Sequence, residues 1–347
     1  MAVLVTGGAG YIGSHACLRL LEAGREVVIV DNLVRGHVAA VERLSRAHSG
    51  RVSFVEADAG DVEAVSAAMR EHSVDTVLHF AALAYVGESV DDPLRYYRLN
   101  VASMIGLLEA IDACGIGRIV FSSSCATYGD PPEGMVPVPE DCPQSPTSPY
   151  GWTKLMGERM LLDYVESCRR AGKPCSAVML RYFNVAGADR GGLLGEDHRP
   201  ETHLVPIAID AALGRREGMA IFGTDYPTED GTNVRDYVHV DDLIEAHLRA
   251  IDALDPAENS CRAFNVGIGH GHSVRQVLDS VQRVSGEGFS IREEPRRAGD
   301  AVALYNDPTR IREELGWAAE VRDLDEIVRT ALDWRREHPE GYGGQAT

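Results

Sequence analysis

The first half of the chain alternates short apolar runs with longer amphipathic stretches. Residues 3–5, 27–31, 52–56, 76–81, 118–122 and 177–182 are nearly continuous apolar runs, short enough for strands buried on both faces. Between them, segments such as 14–23 and 62–71 place apolar residues at helical spacing. Strands alternating with helices predict βαβ units: an α/β fold built on a doubly wound parallel sheet with helices on both faces. In such sheets ligands sit beyond the carboxyl ends of the strands, so the residues after each run are the first candidates for a site.

After Asn184 the texture changes. Residues 187–200 are rich in Gly, Asp and Pro, and 221–241 mix aromatics, charges and turn residues. This predicts a smaller C-terminal α/β lobe closing over the first domain. The expected division is 1–183 as a nucleotide-binding domain to which 235–265 return, 184–234 and 266–340 as the second lobe, and 341–347 as a tail that frays from Glu340.

Composition narrows the partners. The 347 residues are 44% apolar and 25% charged, the proportions of an ordinary globular protein. Acidic residues outnumber basic ones by 53 to 34, a formal charge of −19 that opposes binding to a nucleic-acid backbone. A small anion is still compatible, because a local arginine cluster can overrule the global field. The start, M-A-V-L-V-T-G-G, runs directly into a strand and a glycine turn, so no signal peptide is expected. No apolar run approaches the ~18–20 residues that span a bilayer, so no membrane partner is expected. The seven cysteines are scattered without a C-x-x-C pair and read as reduced thiols of a cytoplasmic protein. His270 and His272 flank a glycine without a third ligand near them in sequence, and no metal site is expected.

The first run leads into T-G-G-A-G-Y-I-G-S, with glycines at 7, 8, 10 and 13. Glycine is required where the backbone turns sharply, where a pyrophosphate approaches bare amides, and where a helix packs closely on a strand. Asp31 ends the second run, 18 residues after Gly13 and near the ~20 expected for a carboxylate on an adenosine ribose. This is a Rossmann-type dinucleotide site. A carboxylate there repels a 2′-phosphate and favours NAD over NADP, although Arg35 lies near enough to oppose it. Asp58, after the third run, is placed to accept hydrogen bonds from an adenine amino group or to brace its own turn.

Tyr150 and Lys154 stand four residues apart behind Pro149, which suits a helix entrance, so both share one helical face. A phenol ionises near pH ~10, and forming the phenolate at neutral pH costs roughly 4 kcal/mol. A neighbouring ammonium and a nicotinamide cation both favour the phenolate and make tyrosine a usable base. Ser124 closes S-S-S at the ligand edge of the sheet, where it can relay a proton or hold a hydroxyl.

Together these features resemble the extended short-chain dehydrogenase/reductases, and within them the UDP-glucose 4-epimerases. The resemblance runs from V-T-G-G-A-G-Y-I-G-S-H to Trp317. It includes D-N-L at 31–33, V-G-E-S at 86–89, F-S-S-S at 121–124, L-R-Y-F-N at 180–184, I-F-G-T-D-Y-P-T-E-D-G-T at 221–232, V-R-D-Y-V-H-V at 234–240 and R-R-A-G-D at 296–300. The resemblance implies that Tyr150 takes the proton from the sugar's 4-hydroxyl while carbon 4 passes its hydride to NAD. Lys154 then holds the nicotinamide ribose and lowers the tyrosine's pKa, and Ser124 assists at the hydroxyl. The 4-keto sugar turns over, the hydride returns to its opposite face, and NAD is regenerated in place.

By the same resemblance the cofactor positions are Gly7, Gly10, Tyr11, Ile12, Gly13, Asp31, Asn32, Asp58, Ala59, Phe80, Ala81, Ala82, Asn100, Ser122, Lys154 and Tyr182. Substrate positions are Ser124, Tyr150, Asn184, His203, Leu204, Phe222, Arg235, Tyr237, Arg297, Asp300 and Leu304, which makes the second lobe UDP-sugar-binding. The arginines suit a diphosphate, Asp300 a ribose hydroxyl, and Phe222 an apolar wall for uracil. A homodimer is implied as well.

Four positions depart from the family pattern. Ala84 stands where many epimerases carry lysine, and the threonine after S-S-S is displaced to Thr127, leaving Ala126. His203 replaces an asparagine near the diphosphate, and Leu304 stands where some members carry a tyrosine that limits the sugar's 2-substituent. The smaller Leu304 implies that UDP-N-acetylhexosamines are accepted. A-Y-V-G-E-S, C-A-T-Y-G and R-R-A-G-D also resemble UDP-arabinose/UDP-xylose 4-epimerases, the nearest alternative. A sugar-nucleotide 4,6-dehydratase needs an acid beside Ser124, where Cys125 and Ala126 stand. A non-catalytic NAD-binding protein would have no use for the intact Ser124, Tyr150 and Lys154.

Overall fold

The computed structural model describes residues 2–297 and 300–343. The six early apolar runs become β1 (Ala2–Thr6), β2 (Glu26–Asp31), β3 (Val52–Glu56), β4 (Val74–His79), β5 (Arg118–Ser124) and β6 (Ser176–Tyr182). Later strands are β7 (Asn184–Ala186), β8 (Gly218–Phe222), β9 (Val234–His239), β10 (Cys261–Val266), β11 (Gly271–Ser273), β12 (Ser290–Glu294) and β13 (Ala303–Leu304). Seven of them form one parallel sheet in the order β10-β6-β5-β4-β1-β2-β3.

Alternate residues of each central strand feed two separate cores. Val3, Val5, Val27 and Ile29 pack on one face of the sheet, while Ala2, Leu4, Val28 and Val30 pack on the other. Both faces are covered by helices, which is why these runs are continuously apolar rather than alternating. The strand order reverses between β1 and β4, and the ligand cleft opens there.

The strand expected at 76–81 instead spans Val74–His79. Phe80 and Ala81 leave the ladder because both backbone N–H groups donate to the Thr6 carbonyl, at 3.0 and 3.1 Å. That fold-back brings Ala81 against the first glycine turn. The 235–265 stretch divides between the lobes. β9 pairs with β7, β11 and β13 in the small sheet. The Val240–Asp252 helix then buries Leu243, Ala246 and Ala250 in the main core, and β10 takes the edge of the large sheet. The second lobe has its own core, built by the Leu204–Ala212, Val274–Ser285 and Leu324–Glu337 helices.

The tail does not fray at Glu340. Tyr342 packs against His37 and Trp334, with ring centroids 5.2 and 5.3 Å away, and its N–H donates to Asp197 Oδ2 at 2.9 Å. Aromatic burial therefore holds the chain to residue 343, and residues 344–347 lie outside the described part. Among the described residues no helix is long and apolar enough to cross a membrane.

Candidate functional site

A cleft of about 460 Å³ runs along the carboxyl edge of the large sheet and is roofed by the second lobe. That size suits small-ligand sites, which occupy about 300–1,000 Å³. At one end the glycine turn admits no side chains. Gly7 has a φ of 73°, and a Cβ there would lie 2.6 Å from the Ala81 backbone nitrogen. A Cβ on Gly13 would run into the Gly7 carbonyl, so the Tyr11–Glu22 helix reaches β1 only through glycine. The helix N-terminus thus faces the cleft with bare amides, as a pyrophosphate requires.

Asp31 is buried at the end of β2, where its carboxylate accepts from Ala9 N at 3.0 Å and Leu33 N at 2.8 Å. Burial raises its pKa, while those two hydrogen bonds pull it back down. Asp58 Oδ1 accepts from Gly60 N and Ser103 Oγ, and Asn32 Nδ2 donates to its Oδ2 at 3.1 Å. Arg35, the residue that clouded the choice between NAD and NADP, is engaged elsewhere. Its guanidinium meets both oxygens of Glu88 at 2.7 and 2.8 Å and lies 4.7 Å above the Tyr85 ring. A cation so paired offers little to a 2′-phosphate. These residues fit NAD.

Midway along the cleft stand Ser124, Tyr150 and Lys154. Ser148 caps the Pro149–Ala171 helix through Gly151 N at 3.2 Å, and Pro149 fills its first turn. Tyr150 and Lys154 therefore sit one turn apart on the buried face. Burial pushes the Tyr150 phenol up to about 12, against the downward pull of its hydrogen bond with Ser124. Burial also lowers Lys154 to about 7, with Glu158 opposing. Lys154 Nζ donates to the Ser122 carbonyl at 2.7 Å and lies 5.1 Å above the Phe121 ring. Desolvation is the largest influence on both groups.

The lysine shift has a measurable consequence. Its folded pKa lies below its unfolded value, so the unfolded chain holds more protons between about pH 7 and 10.5. The resulting cost is full below pH 7 and vanishes toward pH 10.5. In cofactor-depleted protein, Lys154→Met is expected to be more stable than wild type at pH 6, with the gap closing by pH 10.5. Denaturant midpoints across that range check this, and a pH-independent difference would contradict it.

One turn further along the helix, Glu158 forms a buried lock. Its carboxylate meets Arg181 of β6 at 2.7 and 2.8 Å and accepts from Ser123 Oγ at 2.5 Å and Gln144 Nε2 at 3.0 Å. Arg181 also donates to Tyr128 Oη at 2.9 Å, and that hydroxyl donates to Asn265 Oδ1 at 2.7 Å. The network ties the helix to β5, β6 and β10 and sets where Tyr150 and Lys154 stand. Arg181 stands in the L-R-Y-F-N block, but its pairing with Glu158, 23 residues away in the chain, carried no sequence signal.

Most sequence-derived positions do line the cleft. On the cofactor side these are Gly7, Gly10, Tyr11, Ile12, Gly13, Asp31, Asn32, Asp58, Ala59, Phe80, Ala81, Ala82 and Tyr182. On the other side are Asn184, His203, Leu204, Arg235, Tyr237, Asp300 and Leu304. Arg235 Nη2 lies 3.9 Å from Asp300 Oδ1. Ala84 and Ala126 line the cleft without polar groups, and Thr127 turns inward to bond the Ser124 carbonyl at 2.9 Å.

Four expected positions lie outside it. Asn100 clamps Leu83 N and O at 2.8 and 2.9 Å, and its amide also donates to Thr153 Oγ1 at 3.0 Å. The Ser122 hydroxyl faces His247 Nε2 at 3.1 Å. Phe222 and Arg297 stack on each other, with the guanidinium 3.7 Å from the ring centroid. Ala298 and Gly299 of the R-R-A-G-D block lie outside the described residues.

A cluster of acids and histidines not singled out in the sequence also stands at the cleft. Glu196, His198, Glu201 and His203 bring one ligand atom each within 4.8 Å of one another on the cleft wall. Burial works against protonated imidazoles here, but hydrogen bonds and charge from Glu196 and Glu201 outweigh it, raising His198 to about 9 and His203 to about 10. By contrast His270 and His272 only pack edge to face, with centroids 5.0 Å apart.

Comparison with known proteins agrees with this geometry. The chain is 46% identical over 345 residues to a UDP-glucose 4-epimerase of Lacticaseibacillus casei, covering 99% of each. It is 45% identical over 347 residues to UDP-arabinose 4-epimerase 1 of Arabidopsis thaliana, covering 98% of this chain and 81% of that protein. The fold matches a Stenotrophomonas maltophila UDP-glucose 4-epimerase solved with NAD and formylated UDP-arabinopyranose, with a TM-score of 0.92, 40% identity and 98% and 99% of the two chains covered. Residues 3–267 match the family model for NAD-dependent epimerases and dehydratases. The glycine turn, the Asp31 carboxylate, the Tyr150–Lys154 face and these matches converge: the chain belongs to the NAD-dependent epimerase/dehydratase family.

Proposed function

We propose that the protein is a 4-epimerase interconverting UDP-glucose and UDP-galactose through a 4-keto sugar, with NAD held throughout. The observation that carries the proposal is the convergence of Ser124, Tyr150 and Lys154 in one cleft with a dinucleotide turn on one side and Arg235, Tyr237 and Asp300 on the other. The glycine turn, Asp31 and Asp58 hold the cofactor, which supplies the hydride acceptor and a positive charge beside Tyr150. Ser124 orients the sugar's 4-hydroxyl toward Tyr150 Oη, which takes its proton and later returns it. Lys154 anchors the cofactor side. Cys125 and Ala126 give Ser124 no neighbouring acid, and burial raises the Cys125 thiol to about 12, which disfavours a dehydratase. Segments 184–234 and 266–340 serve as the UDP-sugar lobe, and the enzyme works in the cytoplasm.

A panel of UDP-hexoses and UDP-pentoses, scored for equilibration at carbon 4 without added NAD, tests the reading. Equilibration of UDP-galactose supports it, and inertness toward every hexose overturns it. The pentose arm tests the alternative favoured by the 45% identity to a UDP-arabinose 4-epimerase. Leu304 bears on the N-acetyl arm. It is 8% exposed and lines the cleft opposite Arg235, leaving room a tyrosine would fill. UDP-N-acetylgalactosamine is therefore expected to turn over, and Leu304→Tyr to cut that turnover at least about 10-fold relative to UDP-galactose. Undetectable N-acetyl turnover in the wild type would contradict this.

We also infer a homodimer built on two helices. Ser103–Cys114 and Pro149–Ala171 flank a groove lined by Ile105, Leu108, Met160 and Tyr164. Ile105 is 48% exposed, and Trp152 and Leu162 are 43% and 42% exposed. A second copy covering this face buries them all. Light scattering is expected to give twice the chain mass for the wild type and a single chain mass for the Ile105→Asp/Leu162→Asp variant. A monomeric wild type would contradict the inference.

A further inference from the structure

We propose that Glu196, His198, Glu201 and His203 form a tetrahedral site for one zinc-class divalent ion, which pins the 187–203 segment to the wall of the cleft. The two imidazole Nδ1 atoms converge on the two carboxylates. His203 Nδ1 lies 2.9 Å from an oxygen of Glu196 and 2.9 Å from one of Glu201. His198 Nδ1 lies 3.1 Å from the same Glu196 oxygen and 3.7 Å from Glu201 Oε2. Zinc bonds of about 2.0–2.2 Å arranged tetrahedrally separate neighbouring ligand atoms by about 3.3–3.6 Å. The observed separations bracket that range, so an ion enters with shifts of a few tenths of an ångström.

Charge and satisfaction point the same way. On binding, a dication displaces the two imidazole protons, leaving two carboxylates and two neutral imidazoles whose two negative charges it balances within the cluster. Glu201 Oε2 is a buried acceptor with no hydrogen-bond partner. Its nearest polar neighbour is His198 Nδ1 at 3.7 Å, and Tyr11 and Tyr85 meet the His198 ring edge-on, with centroids 6.1 and 5.9 Å away. Arg35, nearby above Tyr85, is committed to Glu88. A mixed imidazole and carboxylate set selects zinc, cobalt or nickel over magnesium and calcium, which take oxygen alone. Four protein ligands close the coordination sphere, the pattern of a structural rather than a catalytic metal.

The local fold gives such an ion a task. The ligands fall within eight residues, in a segment without helix or strand between β7 and the Leu204–Ala212 helix. This segment reaches the glycine turn through Gly187, whose carbonyl accepts from Tyr11 Oη at 2.7 Å. It meets the tail at Asp197 and Gly195 through Tyr342. Fixing its four ligands fixes the roof over the cofactor end of the cleft. The proposal stands whether or not the sugar reading above holds.

The test is metal binding by the full-length, NAD-containing protein after chelator treatment, using zinc alone and cobalt alone as probes. One zinc per chain is expected, held against a chromophoric chelator, with a visible tetrahedral spectrum for cobalt and a higher thermal midpoint when loaded. His198→Ala and Glu201→Gln are each expected to weaken zinc at least 10-fold, with an unchanged far-ultraviolet dichroism spectrum showing that they fold. His270→Ala/His272→Ala is expected to bind as wild type does. Sub-stoichiometric zinc in the wild type overturns the proposal. So does equal zinc affinity in the His198 and Glu201 variants, or magnesium competing at zinc's concentration.

Discussion

Tyr150→Phe is expected to lower turnover of UDP-galactose about 10³-fold, the scale of a lost general base, while the purified variant keeps its NAD. The two halves of that outcome come from different parts of the structure. Phenylalanine fills the same buried volume beside Leu83 and Tyr96, so packing survives. In the proposed site, cofactor retention falls to the glycine turn, Asp31 and Asp58 rather than to the phenol. What disappears is the hydroxyl facing Ser124. In the protein alone that hydroxyl is held protonated, with its pKa raised by burial to about 12, so a phenolate at pH 7 costs roughly 7 kcal/mol. In the proposed mechanism the positive charge of the bound cofactor brings proton removal within reach. Steady-state rates and the NAD content of the same preparation check this. Turnover within a few-fold of wild type would remove Tyr150 from the chemistry.

Glu158→Ala is expected to destabilise the fold by about 3–5 kcal/mol, because it strands a buried arginine without its counter-ion. Against a total stability of about 5–15 kcal/mol this is a large share. Arg181 is 6% exposed and cannot turn to solvent, and Ser123 and Gln144 lose an acceptor in the same step. Glu158 also sits one turn beyond Lys154, so the catalytic face loosens with it. The Glu158→Met/Arg181→Met double variant removes both charges and is expected to recover much of the loss. Denaturant unfolding of the three proteins measures both effects. A single variant within 1 kcal/mol of wild type would show that the pair is not the lock its geometry describes.

How much of this was legible beforehand depended on distance along the chain. The strands, the glycine turn and Asp31 are encoded in contiguous residues and were placed within a residue or two. Tyr150 and Lys154 are four apart on one helix, and Pro149 with Ser148 marks where that helix starts. By contrast the pairing of Glu158 with Arg181 is invisible until β6 is laid against the Pro149–Ala171 helix. Resemblance carried chain position but not side-chain direction. Asn100, Ser122, Phe222 and Arg297 stand at family positions, and side-chain partners the sequence did not reveal engage each: Leu83, His247, or one another. The acid and histidine spacing of E-D-H-R-P-E-T-H was visible in the sequence. It lies in a Gly- and Pro-rich loop, where no regular periodicity indicates that the four side chains converge.

Arg35 illustrates the same limit in reverse. From sequence it competes with Asp31 for the choice of cofactor, and only its pairing with Glu88 removes it from that contest. Leu304 has a similar standing for the sugar: its size was readable, while its place opposite Arg235 came from the β13–β9 pairing.

The most direct measurement of the central claim is the fate of the hydrogen on carbon 4. UDP-galactose bearing deuterium at that carbon is incubated with the purified protein in ordinary water, without added NAD. The expected product is UDP-glucose that keeps the deuterium at carbon 4, because the hydrogen is taken from and returned to the same sugar inside one closed cleft. UDP-glucose with the label washed into solvent, or no epimer at all, would contradict it.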